Sequence, residues 1–194
     1  MSADATLVLV REGDLAIRRM TKDDLARVFA WRSAPHVREF WDNDDDGADG
    51  DELTRAFVDE YYGALLEPNP TVPAIIELLG APIGYIQFYR WASEAEAARA
   101  MGIPLDDDAF GLDVFVGEAS AIGSGVGARA VDLLCRWLFA EHGASRVALL
   151  SDARNARARR AYERAGFTCR GPALDTDTRG GERIASWLMV RERT

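Results

Sequence analysis

Hydrophobic and polar positions along the 194-residue chain follow two different periods, and together these periods predict a mixed α+β fold. Apolar residues recur every three or four positions from about residue 126 to His142 and again from Asn155 to Gly166, a pattern typical of helices. Short apolar runs bounded by Gly, Pro or Asp predict strands instead. These runs are residues 6–20, as two strands around a Glu-Gly-Asp turn, 74–91, as a hairpin around Gly80-Ala81-Pro82, and 110–117, 145–153, 167–171 and 181–190.

Polar residues at the borders of the apolar runs predict where two further helices begin and end. Thr21 is followed three residues later by Asp24, the spacing of a capping box, and predicts a helix through about Arg32. An acidic loop, residues 41–52, separates it from a second helix that ends near Tyr62, before a proline-containing segment. We therefore expect one sheet with helices on its faces.

Length and charge narrow the class of protein. The chain is predicted to be a single domain over residues 1–194, with an insertion containing a short helix at about 92–109. Its formal net charge of −9 disfavours a nucleic acid as partner, because a phosphate backbone requires a basic face. The acidity fits a cationic small molecule, although acidity can also serve solubility alone.

Features that would point to a membrane, to export or to a metal are not found in the sequence. No apolar run approaches the roughly 20 residues of a membrane span. The first residues lack the pattern of a signal peptide, so we expect a cytoplasmic protein. Cys135 and Cys169 are predicted to be reduced thiols. His36 and His142 are far apart in sequence, which leaves a metal site little to build on.

A glycine-rich turn, residues 122–127, lies between a predicted strand and a predicted helix. Backbone N–H groups at a helix start are unpaired, and without side chains the backbone can approach a pyrophosphate. A tight connection without a ligand would use the same residues. A dinucleotide-binding motif is disfavoured, because the turn comes late in the chain and no acidic residue closes a second strand about 20 residues on.

Asp113 interrupts the apolar strand 110–117. The period of two places Gly111, Asp113 and Phe115 on one face of that strand. A carboxylate at such a position must either pair with a cation, for example an arginine on a helix, or lie in a cleft. The sequence alone leaves both possibilities open.

The glycine turn and the segment that follows it resemble two motifs of the GNAT superfamily of acetyl-CoA-dependent N-acetyltransferases. Motif A, a strand followed by Gln/Arg-x-x-Gly-x-Gly/Ala and a helix, matches residues 122–127 within 110–142, except that Ile122 replaces Gln or Arg. Motif B, an Asn that opens a helix ending in Tyr-x-x-x-Gly-Phe, matches Asn155 and residues 162–167 within 146–167. The resemblance implies a GNAT fold: a mixed, mostly antiparallel sheet that splays after its fourth main strand, with helices on both faces.

Within this superfamily, four segments resemble aminoglycoside 6′-N-acetyltransferases. They are residues 36–41, 82–89, 111–118 and 151–167. The resemblance implies that Asp113 lies beside the acetylated amine and that Asp152 lines the sugar pocket. A sister group that acetylates hydroxylysine shares several features, but usually carries His where this chain has Asp113.

The resemblance also implies roles for further residues. Tyr162 is expected to act as general acid towards the departing CoA thiolate, and Asp113 as an orienting carboxylate or base. The residues expected to hold acetyl-CoA are Val114, Phe115, Val116, Gly123, Ser124, Gly125, Val126, Gly127, Ala128, Asn155 and Ala158. Those expected to hold the acceptor are Trp41, Gln87, Tyr89, Asp113 and Asp152, with Trp91 as a further wall and Glu94, Glu96, Asp106, Asp107, Asp108, Asp175 and Asp177 as candidate carboxylates.

These assignments predict direct acetyl transfer from acetyl-CoA to a primary amine of a cationic small molecule, without a metal. No cysteine occurs in either motif to carry the acetyl group. The alternatives are an acetyltransferase for hydroxylysine or another small amine, and a non-catalytic acyl-CoA-binding regulator. The chain is expected to be a monomer or a homodimer.

Overall fold

A computed structural model describes residues 7–41, 53–103, 108–179 and 181–194. Eight strands form one sheet in the order β1-β2-β3-β4-β5-β6-β8-β7. The strands are β1 (Val8–Glu12), β2 (Leu15–Arg19), β3 (Val72–Leu78), β4 (Ala81–Arg90), β5 (Ala109–Val116), β6 (Arg146–Asp152), β7 (Thr168–Arg179) and β8 (Glu182–Glu192). The helices are α1 (Leu25–Arg32), α2 (Pro35–Trp41), α3 (Arg55–Ala64), α4 (Ala95–Met101), α5 (Val126–Glu141) and α6 (Ala156–Arg164).

Strand pairing is extensive everywhere except in the middle of the sheet. All neighbours are antiparallel apart from β5 and β6, which are parallel. β5 pairs with β4 from Phe110 to Val116, but it pairs with β6 only at Ala109 and Phe110. The two strands diverge beyond Phe110, so the predicted splay of a GNAT sheet is confirmed.

Apolar side chains on the two faces of the sheet form separate clusters. On one face, α5 buries Val131, Leu134 and Leu138 against the central strands. On the other face, α1 and α3 bury Val28 and Val58. The cluster under α5 contains Leu112 of β5 and Leu149 of β6, so packing against one helix holds both strands although they share few hydrogen bonds.

The capping box predicted at the first helix is present. Thr21 N–H donates to the Asp24 carboxylate at 2.9 Å, and a single 3₁₀ turn leads into α1. Arg18 binds the same carboxylate with two N–H groups at 2.7 and 2.8 Å. The cap therefore also ties β2 to the start of α1.

The hairpin turn between β3 and β4 was placed one residue too late. The loop is Leu79-Gly80, and both residues have positive φ, +54° and +80°. Two such residues match the right-handed twist of a two-residue hairpin. Ala81 and Pro82 belong to β4, and Pro82 is tolerated there because it lies at the start of the strand, opposite a register shift between Ile76 and Glu77.

Two other elements differ from the sequence prediction, and the short helix predicted in the insertion is present. α2 was not predicted as a separate helix, and β7 continues to Arg179 rather than ending near residue 171. The insertion contains α4, which ends at Gly102 with φ +74°. Most of the acidic loop, residues 42–52, lies outside the described residues, as do residues 104–107 of the insertion. Among the described residues, no helix has the length and apolarity needed to cross a membrane.

Candidate active site

The gap between β5 and β6 exposes backbone groups inside the protein. Gly117 N–H donates to the Ile83 carbonyl of β4 at 2.9 Å, and bonded pairs alternate along an antiparallel ladder. The backbone groups of Val114 and Val116 therefore point away from β4, towards the gap. His36 of α2 confirms this orientation, because its Nε2 lies 3.2 Å from the Val116 carbonyl oxygen.

Two cavities meet at this gap. One, about 470 Å³, is lined mainly by β4, β5, β6, β7 and α4, and we call it the acceptor cavity. The other, about 400 Å³, is lined by α2, β5, the glycine turn and α6, and we call it the cofactor cavity. Both cavities are lined by Phe40, Trp41, Val114, Asn155, Ala158 and Tyr162.

The glycine turn forms one wall of the cofactor cavity. Gly123 and Gly125 have φ of +80° and +86°, a left-handed conformation that other residues rarely adopt. A side chain at Gly123 or Gly125 would meet nothing within 4 Å, so their role is conformational. Gly125 is the N-cap of α5, and the first intrahelical bond comes from Arg129 N–H. The N–H groups of Gly127 and Ala128 are therefore unpaired within the helix.

Two other N–H groups of this turn are already bonded within the protein. Ser124 N–H donates to the Ala121 carbonyl at 3.4 Å, and Val126 N–H contacts the Ser124 hydroxyl at 3.3 Å. Neither Ser124 nor Val126 lines the cofactor cavity. Of the residues predicted to bind phosphate in this turn, those that line the cofactor cavity are Gly123, Gly125, Gly127 and Ala128.

Three arginines on α6 were missed as candidate cofactor ligands. Arg157, Arg160 and Arg164 all line the cofactor cavity. Their spacing of three and four residues places them on one helical face. That spacing was visible in the sequence, but only the fold shows which way the face points. Ile122 lines the same cavity without any charge.

Asp113 lies on the wall of the acceptor cavity, half-buried. Its carboxylate accepts a hydrogen bond from Gln87 Nε2 at 2.9 Å, and Gln87 Oε1 accepts one from the Tyr85 hydroxyl at 2.6 Å. Burial raises the pKa of Asp113 to about 6, against the Gln87 hydrogen bond and with help from Asp175 and Asp177. Of the two interpretations left open by the sequence, the structure favours the cleft.

Further carboxylates surround the same cavity. Glu94, Asp175 and Asp177 line it, and burial together with Asp177 raises the pKa of Asp175. Asp108 is instead an exposed residue paired with Arg90 at 3.3 Å, and Glu96 does not line the cavity. Asp106 and Asp107 lie outside the described residues.

Asp152 lines the acceptor cavity as predicted, but its carboxylate already has two cationic partners. Arg179 contacts it at 2.7 Å and Arg154 at 2.9 Å. Burial acts to raise the pKa of Asp152, but these arginine contacts outweigh burial and keep the pKa below its usual value. The same arginines donate to the carbonyls of Glu39 and Phe40 at the end of α2. Asp152 thus fixes α2 against the strands beyond the gap.

Tyr162 stands where the two cavities meet. It is buried in the core against Phe167, with 8 % of its surface exposed. Burial, and secondarily the charge of Asp113, raises the pKa of Tyr162 above its ordinary value of 10. The phenol therefore keeps its proton at neutral pH.

The aromatic residues predicted to contact the acceptor are all at the cavity wall. The Trp41 ring packs edge-on against Phe115, with ring centroids 4.7 Å apart. Tyr89 covers Gly111, where an added Cβ would lie 2.5 Å from the Tyr89 ring. Trp91 is 4 % exposed and donates its indole N–H to the Ala148 carbonyl at 3.0 Å, so it serves mainly as core.

The remaining predicted residues are also brought to the gap. Gln87 lies in the acceptor cavity, and Val116 with Phe115 lines the cofactor cavity. The Asn155 side chain caps α6 by accepting from Ala158 N–H at 2.9 Å.

Cys135 and Cys169 are both free thiols. The described residues contain no group of His, Cys, Asp and Glu that could hold a metal ion.

Comparisons with known proteins agree with this geometry. The chain is 29 % identical over 181 residues to aminoglycoside N(6′)-acetyltransferase type 1 of Klebsiella pneumoniae, which covers 89 % of this chain and 83 % of that protein. The structure of AAC(6′)-Ib in complex with paromomycin and acetyl-CoA superposes with a TM-score of 0.78 at 29 % identity, covering 93 % and 94 % of the two chains. The same enzyme with coenzyme A and kanamycin gives a TM-score of 0.76 at 28 % identity, covering 92 % and 95 %.

The family model of the acetyltransferase (GNAT) domain matches residues 20–173. This range contains α1 to α6, the glycine turn, Asp113 and Tyr162. The chain therefore belongs to the GNAT acetyltransferase domain family.

Proposed function

We propose that this protein transfers an acetyl group from acetyl-CoA to the 6′-amine of an aminoglycoside. The observation that carries the proposal is the meeting of two cavities of opposite character at Tyr162, with Asp113 on the wall of the acceptor cavity. One cavity offers backbone donors and arginines, and the other offers carboxylates. The chain is also similar to an aminoglycoside 6′-N-acetyltransferase whose structure contains both an aminoglycoside and acetyl-CoA, and this supports the same two ligands here.

The cofactor cavity fits a polyanion with an extended arm. The N–H groups at the start of α5 and the arginines of α6 would bind its phosphates, since both provide positive charge. The arginines compensate for the missing side-chain contact at Ile122. The backbone of Val114 and Val116 would bind an amide-containing arm that runs along β5 through the gap.

The acceptor cavity fits a ligand with several ammonium groups. Burial raises the pKa values of Asp113 and Asp175, and the neighbouring carboxylates add a smaller contribution of the same sign. An ammonium group bound beside them would offset both contributions and favour the charged carboxylates. Charged hydrogen bonds contribute about 1.5–3 kcal/mol each, so two carboxylates would dominate acceptor affinity.

Asp113 would hold the reacting amine and help to remove its proton. An amine with a pKa near 10.4 costs about 4.6 kcal/mol to deprotonate at pH 7, an upper bound for the more acidic amines of a sugar ring. A carboxylate whose pKa is about 6 is better matched to this task than an ordinary aspartate. Gln87 would keep the Asp113 carboxylate in one orientation during the transfer.

Acetyl-CoA supplies the thioester carbonyl that the neutral amine attacks. The free N–H groups of β5 would stabilise the oxyanion that forms on this carbonyl. Tyr162 would donate a hydrogen bond to the departing sulfur. Since the phenol is a weaker acid than a thiol of pKa about 8.5, Tyr162 stabilises the thiolate rather than transferring its proton completely.

The proposal is tested by thiol release from acetyl-CoA with a panel of amines, and by mass spectrometry of the product. Kanamycin-type sugars that carry a 6′-amine should gain one acetyl group, whereas close analogues with a 6′-hydroxyl should not react. Turnover of hydroxylysine without turnover of any aminoglycoside would overturn the acceptor but keep the acetyltransferase. Binding of acetyl-CoA without turnover of any amine would favour a non-catalytic regulator.

A further inference from the structure

Two serine hydroxyls in the wall of the acceptor cavity have no assigned role. Ser151 of β6 and Ser186 of β8 both line the cavity, and each is 3 % exposed. Neither hydroxyl has a hydrogen-bond partner among the described residues. Buried hydroxyl groups in folded proteins nearly always have a partner, so an unpartnered pair in a cavity wall calls for a ligand.

The strand register places the two hydroxyls at different parts of the cavity. Ser186 lies directly opposite Asp152 in the β6–β8 ladder, so both side chains share one face of the sheet. Ser151 precedes Asp152 and projects from the other face, together with Leu149, which packs in the same cluster as Tyr162. The cavity reaches both faces because it passes through the gap between β5 and β6.

Several other polar groups of this wall already have partners within the protein. Asp113 accepts from Gln87, Asp152 binds two arginines, and the indole N–H of Trp91 donates to a backbone carbonyl. Ser151 and Ser186 have no such restraint. A rotation about one side-chain bond is enough for a serine hydroxyl to reach a new partner.

We propose that Ser151 and Ser186, at two separate points of the acceptor cavity, make up a neutral subsite in which each hydroxyl binds a hydroxyl group of the acceptor. The inference rests on the proposed function and specifies its acceptor. Carboxylates attract any polycation and cannot distinguish an amino sugar from an aliphatic polyamine. A serine hydroxyl both donates and accepts, so a polyhydroxylated acceptor satisfies it. An aliphatic polyamine leaves it unpaired, and the unpaired group lowers the affinity for that ligand.

The test compares kanamycin B, which carries many hydroxyl groups, with spermidine, which carries none. The variants are Ser151→Ala, Ser186→Ala and the double variant, in the full chain with acetyl-CoA. Kanamycin B is measured as substrate and spermidine as competitive inhibitor of its acetylation. We expect each single variant to lower kcat/KM for kanamycin B about threefold to tenfold, with an unchanged or lower inhibition constant for spermidine.

Thermal stability of the ligand-free protein separates recognition from a structural role. Removing a hydroxyl that has no protein partner should leave Tm unchanged or raise it. A hydroxyl that stabilises the fold would lower Tm when removed. Ser33→Ala is the matched control, because its exposed hydroxyl donates to the Phe29 carbonyl at 2.8 Å outside the cavity, and it should leave both ligands unaffected.

Equal loss for kanamycin B and spermidine, no loss for either, or a drop in Tm together with activity would overturn the subsite. If wild-type protein acetylates kanamycin B and the variants keep the same preference, the inference falls and the proposed function stands. If the wild-type protein neither binds nor acetylates kanamycin B, both fall together.

Discussion

The two cavities that meet at Tyr162 differ in how they obtain their charge. The cofactor cavity relies on backbone N–H groups at a helix start, supplemented by exposed arginines on α6. The acceptor cavity presents side-chain carboxylates, of which the half-buried Asp113 and Asp175 have raised pKa values. A backbone N–H is lost only when proline replaces its residue, whereas most substitutions of an aspartate remove its carboxylate. Under the proposed function, we therefore expect acceptor choice to change more readily by substitution than cofactor binding, outside the positions where glycine conformation is required.

The largest effect on catalysis is expected from a substitution at Tyr162, where the two cavities meet. Tyr162→Phe removes the hydroxyl but keeps the buried ring, so the fold and both cavities should remain. We expect kcat to fall about 10²-fold or more, while KM for acetyl-CoA changes little, since the hydroxyl acts as the thiolate leaves. Steady-state kinetics with a single-turnover control for the chemical step measure this. An unchanged kcat with rate-limiting chemistry would remove Tyr162 from the mechanism.

Asp113→Asn should lower activity towards the acceptor without changing the affinity for CoA. The asparagine keeps an oxygen for Gln87 but loses the charge, so we expect kcat/KM for the acceptor to fall about 10- to 100-fold. The affinity for CoA, measured by calorimetry, should stay within about twofold. In the wild type, kcat/KM should decline as the pH falls below about 6, because the carboxylate becomes protonated. The variant should lack that decline, and a decline that persists would assign it to another group.

Gly125→Val should weaken the binding of CoA. Valine is strained at φ +86° and would distort the start of α5. We expect CoA affinity to fall about tenfold, read as a loss of thermal stabilisation by CoA. Gly143→Val is a control, since Gly143 also has positive φ but lies at the far end of α5. It should lower stability and leave CoA affinity unchanged, and equal losses of CoA affinity in both variants would contradict the assignment.

Charge removal on α6 should have a smaller effect on the same cavity. Arg160→Gln should raise KM for acetyl-CoA about threefold at low salt, with little effect at 0.5 M salt, because exposed charges are screened. Arg170→Gln is the control, as this exposed arginine lies on β7 and pairs with Glu192. Equal effects of the two changes would mean that overall charge, rather than the α6 face, controls cofactor binding.

The smallest expected effect concerns stability. Because the folded protein raises the pKa of Asp113 to about 6, the folded state holds a proton between pH 4 and 6 that the unfolded chain releases. The stability associated with that proton is lost as the pH rises through this window. Asp113→Asn should therefore stabilise the ligand-free protein by about 1 kcal/mol at pH 7, allowing for solvent in the cavity, and by nothing at pH 4. Denaturant unfolding at both pH values measures the difference, and destabilisation at pH 7 would contradict it.

The features that the sequence could predict are those with a local physical cause. Thr21 and Asp24 form a cap within one turn, and Gly125 marks a left-handed N-cap. The family, the splayed sheet and Tyr162 followed from two short motifs, and the fold confirms the splay. Asp113 followed from its place in an apolar strand and from the segment 111–118 that resembles aminoglycoside 6′-N-acetyltransferases. The catalytic and binding roles stay predictions.

The features that escaped prediction depend on residues distant in sequence. The arginines that hold Asp152 come from positions 154 and 179, and they reach carbonyls on α2. The unpartnered state of Ser151 and Ser186 appears only when β6, β8 and the gap are seen together. Periodicity describes one element at a time, so it cannot show which groups two elements leave unpaired.

The short pairing between β5 and β6 also bears on how the protein avoids aggregation. Beyond Phe110, β5 carries an open strand edge in the middle of a sheet, and open edges invite pairing with strands of other chains. Here α2 and α6 flank the gap, and His36 covers the Val116 carbonyl. The opening that remains leads into the two cavities between elements of the same chain rather than to the outer edge of the sheet. The enzyme can thus keep unpaired strand groups for a ligand while its own helices hinder pairing with a neighbouring molecule.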